Sequence, residues 1–155
     1  MSRITLSGNI SGTGTFTVAS PNSNTDRTLT LPDTAGTLAV VETGTYVPTV
    51  TASSGSITSF TATGTYTKIG RLVFATATVS ITNNGTGAGV VNVSVPFQSS
   101  ASNTAVGAGR ENAAVGTMLQ WYLGSNNSTG AVFTYNNQYP GGTNYVLNLN
   151  ITYFV

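Results

Sequence analysis

The chain contains no cysteine and no histidine, and only nine of its 155 residues are charged, five Lys or Arg against four Asp or Glu. Without Cys there is no disulfide framework, and without Cys or His there is neither a conventional zinc site nor a Cys/His or Ser/His nucleophile system. A formal net charge of +1 leaves no electrostatic footprint for nucleic acid or for an anionic membrane surface. Neither partner is expected, and no stretch approaches the roughly 18 apolar residues of a membrane span. The opening Met1-Ser2-Arg3-Ile4-Thr5-Leu6 lacks the apolar run of a secretory signal, which predicts a product made in a cytosol without a routing signal.

What replaces charge is hydroxyl and amide: 28 Thr, 16 Ser and 15 Asn, with 18 Gly. Disordered chains combine low hydrophobicity with high net charge, whereas 39% of this one is apolar, so it is expected to fold. Helix formers are scarce, and Thr, Val, Tyr, Phe and Ile alternate with Gly and Asn clusters. That pattern predicts an all-β protein of many short strands, one or two small domains by length.

Residues 1–42 place apolar residues in small alternating pairs, Ile4/Leu6, Phe16/Val18, Leu29/Leu31 and Leu38/Val40, between turn sequences. These read as period-two strand fragments. A segment of this size with so few apolar side chains does not close a core alone, and with no Cys or His to staple it, self-association is the remaining route. Phe16, Val18, Leu29, Leu31 and Leu38 are therefore the expected oligomerisation residues. The alternative is that they are the first strands of one larger sandwich.

Residues 43–155 form the second expected domain, an antiparallel β-sandwich or jelly roll. Tyr46–Ala52 reads as extended with Pro48 at an edge, followed by long strands over Ile57–Ile69 and Leu72–Thr82. Asn83-Asn84-Gly85 reads as a hairpin turn returning through Val91, Val93 and Val95. Gln98–Gly109, poor in large apolar residues, reads as a surface loop. Short strands follow at Met118–Leu123 and Ala131–Tyr135, then a loop over Asn136–Asn144. The last strand points Tyr145, Leu147, Leu149, Ile151, Tyr153 and Val155 one way and Asn144, Asn148, Asn150 and Thr152 the other.

Catalytic inventory is thin. Asp26 and Asp33 sit in turn contexts, and Glu42 with Glu111 is the one remote carboxylate pair, which would have to fall on adjacent strands to serve a glycan hydrolase. Gly85-Thr86-Gly87-Ala88-Gly89 lacks the spacing and the lysine of a phosphate-binding loop and reads as a turn. No cofactor, metal or catalytic residue is expected. Trp121, Tyr122, Tyr135 and Tyr139, beside Asn136 and Asn137, are candidate glycan contacts, because flat aromatic faces next to amide donors suit uncharged sugar rings. Core packing is the competing role, and a monomeric carbohydrate-binding module is the competing function.

Two segments carry a resemblance. Thr13 to Leu38, with its core Ala19-Ser20-Pro21-Asn22-Ser23-Asn24-Thr25-Asp26-Arg27-Thr28-Leu29-Thr30-Leu31-Pro32-Asp33-Thr34-Ala35-Gly36-Thr37-Leu38, resembles a stretch of bacteriophage tail-fibre and other virion-fibre proteins. Gly44-Thr45-Tyr46-Val47-Pro48-Thr49-Val50 and Gly64-Thr65-Tyr66-Thr67-Lys68-Ile69-Gly70-Arg71-Leu72-Val73, with Val95-Pro96-Phe97, are similar to the opening of a β-rich distal domain in such fibres. The resemblance implies a homotrimer exposed on a virion, assembled in the host cytoplasm, held by a capsid or tail protein and attaching to a host surface. Such fibres usually begin with a dedicated tail-docking domain, whereas here the fibre-like segment starts almost at once, which favours a short fibre or knob.

Overall fold

The computed structural model describes residues 8, 10–15, 17–20, 22–26, 28, 30, 35–36 and 39–155. The chain divides into two units, Met1–Gly36 and Thr37–Val155. In the first, no described residue lies in a strand, and Val18 is 77% exposed. The other expected oligomerisation residues, Phe16, Leu29, Leu31 and Leu38, lie outside the described residues.

The second unit is all-β, with no helix among its described residues. Nine strands run β1 (Val41–Tyr46), β2 (Val50–Ser54), β3 (Ser59–Ile69), β4 (Leu72–Asn83), β5 (Ala88–Ser94), β6 (Ala105–Glu111), β7 (Met118–Leu123), β8 (Thr129–Thr134) and β9 (Tyr145–Phe154). They form one antiparallel sheet in the order β1-β3-β4-β9-β6-β7-β8-β5-β2. Its two edge strands, β1 and β2, are consecutive in the chain and are joined by residues 47–49 alone. Laid flat, nine strands would span about 38 Å at their usual spacing, yet the linker reaches at most about 14 Å. The sheet must therefore curl until its edges nearly meet, and it does so around a single core.

Strand alternation decides what enters that core. On β4, Val73, Ala75, Ala77, Val79 and Ile81 are buried, and on β9 Leu147, Leu149, Ile151 and Tyr153 face them. Trp121, Leu119 and Leu123 of β7, Val132 of β8, Val91 and Val93 of β5 and Val50 of β2 complete it. Over the middle of β3, β4 and β9 the opposite face carries hydroxyls and amides: Thr65 Oγ1 and Thr76 Oγ1 lie 2.8 Å apart, and Thr78 donates to Asn148 Oδ1 at 3.0 Å.

The repeated Gly-Thr-Tyr sequence has a physical role at the β1/β3 edge. Tyr46 stands opposite Gly64 and Tyr66 opposite Gly44, so each ring lies across the other strand's glycine. A Cβ on Gly64 would collide with the Tyr46 ring and come within 2.8 Å of the Thr76 carbonyl, the same carbonyl to which the Tyr46 hydroxyl donates at 3.1 Å. Tyr66 then stacks edge-on against Phe97, with centroids 4.9 Å apart, and Phe97 is clasped by Tyr153, whose hydroxyl donates to its carbonyl at 2.9 Å. These contacts close part of the seam between the curled edges.

Three local expectations are corrected. The Asn83-Asn84-Gly85 turn exists, with Gly85 at φ 56° and its N–H bonded to Asn83 Oδ1 at 2.9 Å, but it does not make a β4–β5 hairpin. Both edges of β4 are occupied by β3 and β9, so the returning strand crosses to the far side of the sheet and pairs with β2 and β8. Part of the supposed surface loop Gln98–Gly109 is strand β6. Its inward positions Ala105, Gly107 and Gly109 are small because β7 and β9 fill the space: Gly107 faces Trp121, and a Cβ there would strike the Asn150 carbonyl and come within 2.8 Å of Ile151 Cβ. Tyr46–Ala52 is not one extended segment either. Pro48, which has no N–H to give a ladder, separates β1 from β2 and is itself buried.

Candidate functional site

The registers define two ends of the sheet. At one lie the start of β1, the β3–β4 turn at Gly70, the end of β9 and the β7–β8 turn, linked by Ser100 N–H to Phe154 O at 2.7 Å and Asn126 N–H to Ser100 O at 3.0 Å. At the other lie the end of β4, the residue 112–117 loop and the segment between β8 and β9. The segment between β7 and β8 and the expected loop over 136–144 thus stand at opposite ends of β8, roughly 20 Å apart for six extended residues. The first is tied down by Ser99, whose hydroxyl donates to Gly124 O at 2.7 Å and accepts the Asn127 N–H at 3.0 Å.

The aromatic candidates separate in the same way. Trp121 and Tyr122 are neighbours on β7 and so point to opposite faces. Trp121 is fully buried, wedged beside Gly130, and offers no face to a ligand. Tyr139 is half-buried against the core, and its hydroxyl donates to Asn84 Oδ1 at 2.6 Å, pinning the β8–β9 segment to the turn after β4. Burial pushes its hydroxyl pKa up, against the lowering effect of that bond. Both residues are therefore corrected from contact to scaffold.

Tyr122 and Tyr135 remain exposed, Tyr135 to 67%, and they share the outer face. Tyr135 is held by its N–H to Met118 O at 3.0 Å and by Gln120 Nε2, which donates to its carbonyl at 3.1 Å. Along β7 the outward residues are Met118, Gln120 and Tyr122, with Arg110 opposite Met118 and Val106 opposite Tyr122. Asn136 and Asn137 are exposed but committed to the turn. The Thr134 hydroxyl donates to Asn136 Oδ1 at 2.6 Å, and Asn137 adopts φ 60°. The result is a strip in which two tyrosines flank a methionine and a glutamine. Period-two alternation through Met118–Leu123 is the signal that would have moved attention from Trp121 to this face.

Glu111, at the end of β6, is 1% exposed. Its carboxylate accepts N–H groups from Ala113 at 2.8 Å, Ala114 at 3.0 Å, Val115 at 2.6 Å, Gly116 at 3.0 Å and Val146 at 3.2 Å. Burial alone would push the carboxyl up, but the N–H groups of Val115, Ala113, Val146 and Gly116 bond the ionised form and hold it at about 2, below the ordinary 4.5. With its lone pairs spent on the backbone, Glu111 folds the 112–116 loop. Glu42 lies on β1, 3.6 Å from Lys68 Nζ and bonded by the Tyr66 hydroxyl at 3.0 Å. Strands β3, β4 and β9 separate the two carboxylates, so Glu42 and Glu111 do not form the adjacent-strand pair that glycan hydrolysis would need. No group of three acidic, His or Cys side chains that would hold a metal occurs among the described residues.

Comparison with protein-family models, with curated proteins and with solved structures gives no match.

Proposed function

We propose that the chain is the subunit of a short homotrimeric fibre or spike of a bacteriophage virion, a structural protein without catalytic activity, seated on capsid or tail. Residues 1–42 join the subunits and anchor them to another virion protein, and residues 43–155 form the distal head. The single curled sheet, wrapped over one core, serves as the jelly-roll-like or sandwich-like body of that head. The supporting observation is the polarity of the second unit. The chain leads into β1 at one end of the sheet, beside the β3–β4 turn, while Tyr135 and the Glu111 loop stand at the other. Tyr135, exposed at the end of the sheet away from the start of β1, is the face on which a neutral host-surface glycan stacks, with Met118 and Gln120 beside it and Tyr122 further along β7. Each single site is weak, on the order of millimolar, and three copies raise the avidity by about 10².

Tyr135→Ala in the full chain is expected to reduce binding to susceptible cells at least tenfold while leaving the melting temperature unchanged, since the ring touches solvent. Equal binding by variant and wild type would remove the receptor role from this face.

A further inference from the structure

Resting on the trimeric spike proposed above, we infer that the subunits also meet through an apolar row on the outer face of β1, β3, β4 and β9, so that a second copy of this chain is its partner. Val41, Ile69, Leu72 and Phe154 are cross-strand neighbours in one unbroken line. They are 60%, 45%, 38% and 46% exposed, and Phe74, the next outward residue on β4, is 47% exposed. The lines beyond them on the same face are different in kind: Thr45, Thr65, Thr76 and Asn150 form one, and Thr63, Thr78 and Asn148 another. A sheet that clads the rest of this surface in hydroxyls and amides has concentrated its exposed large side chains at one edge of it.

Together the five side chains leave roughly 500 Å² of contiguous apolar surface, at the upper end of what isolated monomers carry. The row holds no charged side chain, so two copies bring no like charges together. Its position identifies the occupant. The row begins at Val41, the first residue of β1, so any assembly that gathers residues 1–42 of several chains holds their rows within a few residues of one another, at millimolar effective concentration. The area falls short of the about 800 Å² per partner of a stable interface. The row therefore reinforces an association begun by residues 1–42 and does not create one.

The chain has no cysteine, which makes the contact readable by single substitutions in the full-length protein. Phe154→Cys under mild oxidation is expected to yield disulfide-linked chains at least tenfold faster than Thr78→Cys, placed on the polar part of the same face. Leu72→Asp with Phe154→Asp is expected to raise the concentration at which the assembly dissociates at least tenfold, with the emission of the buried Trp121 unchanged. Cross-linking no faster than the Thr78→Cys control, in a chain that light scattering shows to be trimeric, would overturn this interface and leave the spike assignment standing. A monomeric wild-type chain would remove the spike assignment and the interface with it.

Discussion

Trp121→Ala is expected to destabilise the second unit by about 4 kcal/mol, lowering its melting temperature by roughly 15 °C. The indole is fully buried between β6 and β8, opposite Gly107 and Val132, and its neighbours have given up their own side chains to admit it. A Cβ on Gly130 would come within 2.8 Å of the indole Cδ1, so neither Gly107 nor Gly130 has a side chain to collapse into the cavity. The Nε1 atom has no hydrogen-bond partner among the described residues, so Trp121→Phe forfeits volume but no bond and is expected to cost less than half as much. Circular dichroism melts of both variants check this. An alanine variant as stable as wild type but defective in ligand binding would return Trp121 to the surface role that its sequence neighbours suggest.

The second large effect is expected at Glu111. Truncation to alanine strips bonds from five backbone N–H groups at once and is expected to cost about 3 kcal/mol, with the 112–116 loop losing its amide-exchange protection first. The same carboxylate sets the acid limit of the fold. Its folded pKa of about 2 lies below the ordinary 4.5, so its stabilisation is complete above about pH 4.5 and is lost as the pH falls towards 2. At the alkaline side, burial raises Tyr46 and pushes Tyr153 up to about 12. Both stay neutral in the fold, so stability declines only as the pH climbs past about 10, where the unfolded chain ionises. Between about pH 5 and 9 the melting temperature is expected to be flat. The emission of the single tryptophan, followed from pH 7 to 2 for wild type and Glu111→Gln, tests the acid limb. Identical acid transitions would show that Glu111 does not set it.

Much of the fold was legible where both faces of a strand announce themselves. The alternation of Val73 to Ile81 against Thr76 to Ser80, and of Leu147 to Tyr153 against Asn148 to Thr152, is the alternation of buried and outward residues in β4 and β9. β6 was illegible because its inward residues are small to suit Trp121 and Ile151, and the absence of large apolar residues looks the same in a loop as in a strand that must admit its neighbours' bulk. The β4–β5 error has a different origin. Turn chemistry is local and was present, whereas the identity of the pairing strand depends on which edges of β4 are already taken. Glu111 gave no signal because all its partners are backbone groups, which any sequence supplies. Among the candidate contacts, Trp121 and Tyr122 were inseparable by composition and become opposite in role once the strand is formed.

The most direct test of the account is the mass of the full-length chain in solution. Light scattering at micromolar concentration should return three times the 15.8 kDa of one chain, and a Leu29→Asp with Leu31→Asp variant should fall to one. A wild type that scatters as a single chain, with its sheet intact by circular dichroism, would contradict the spike and favour a monomeric carbohydrate-binding module.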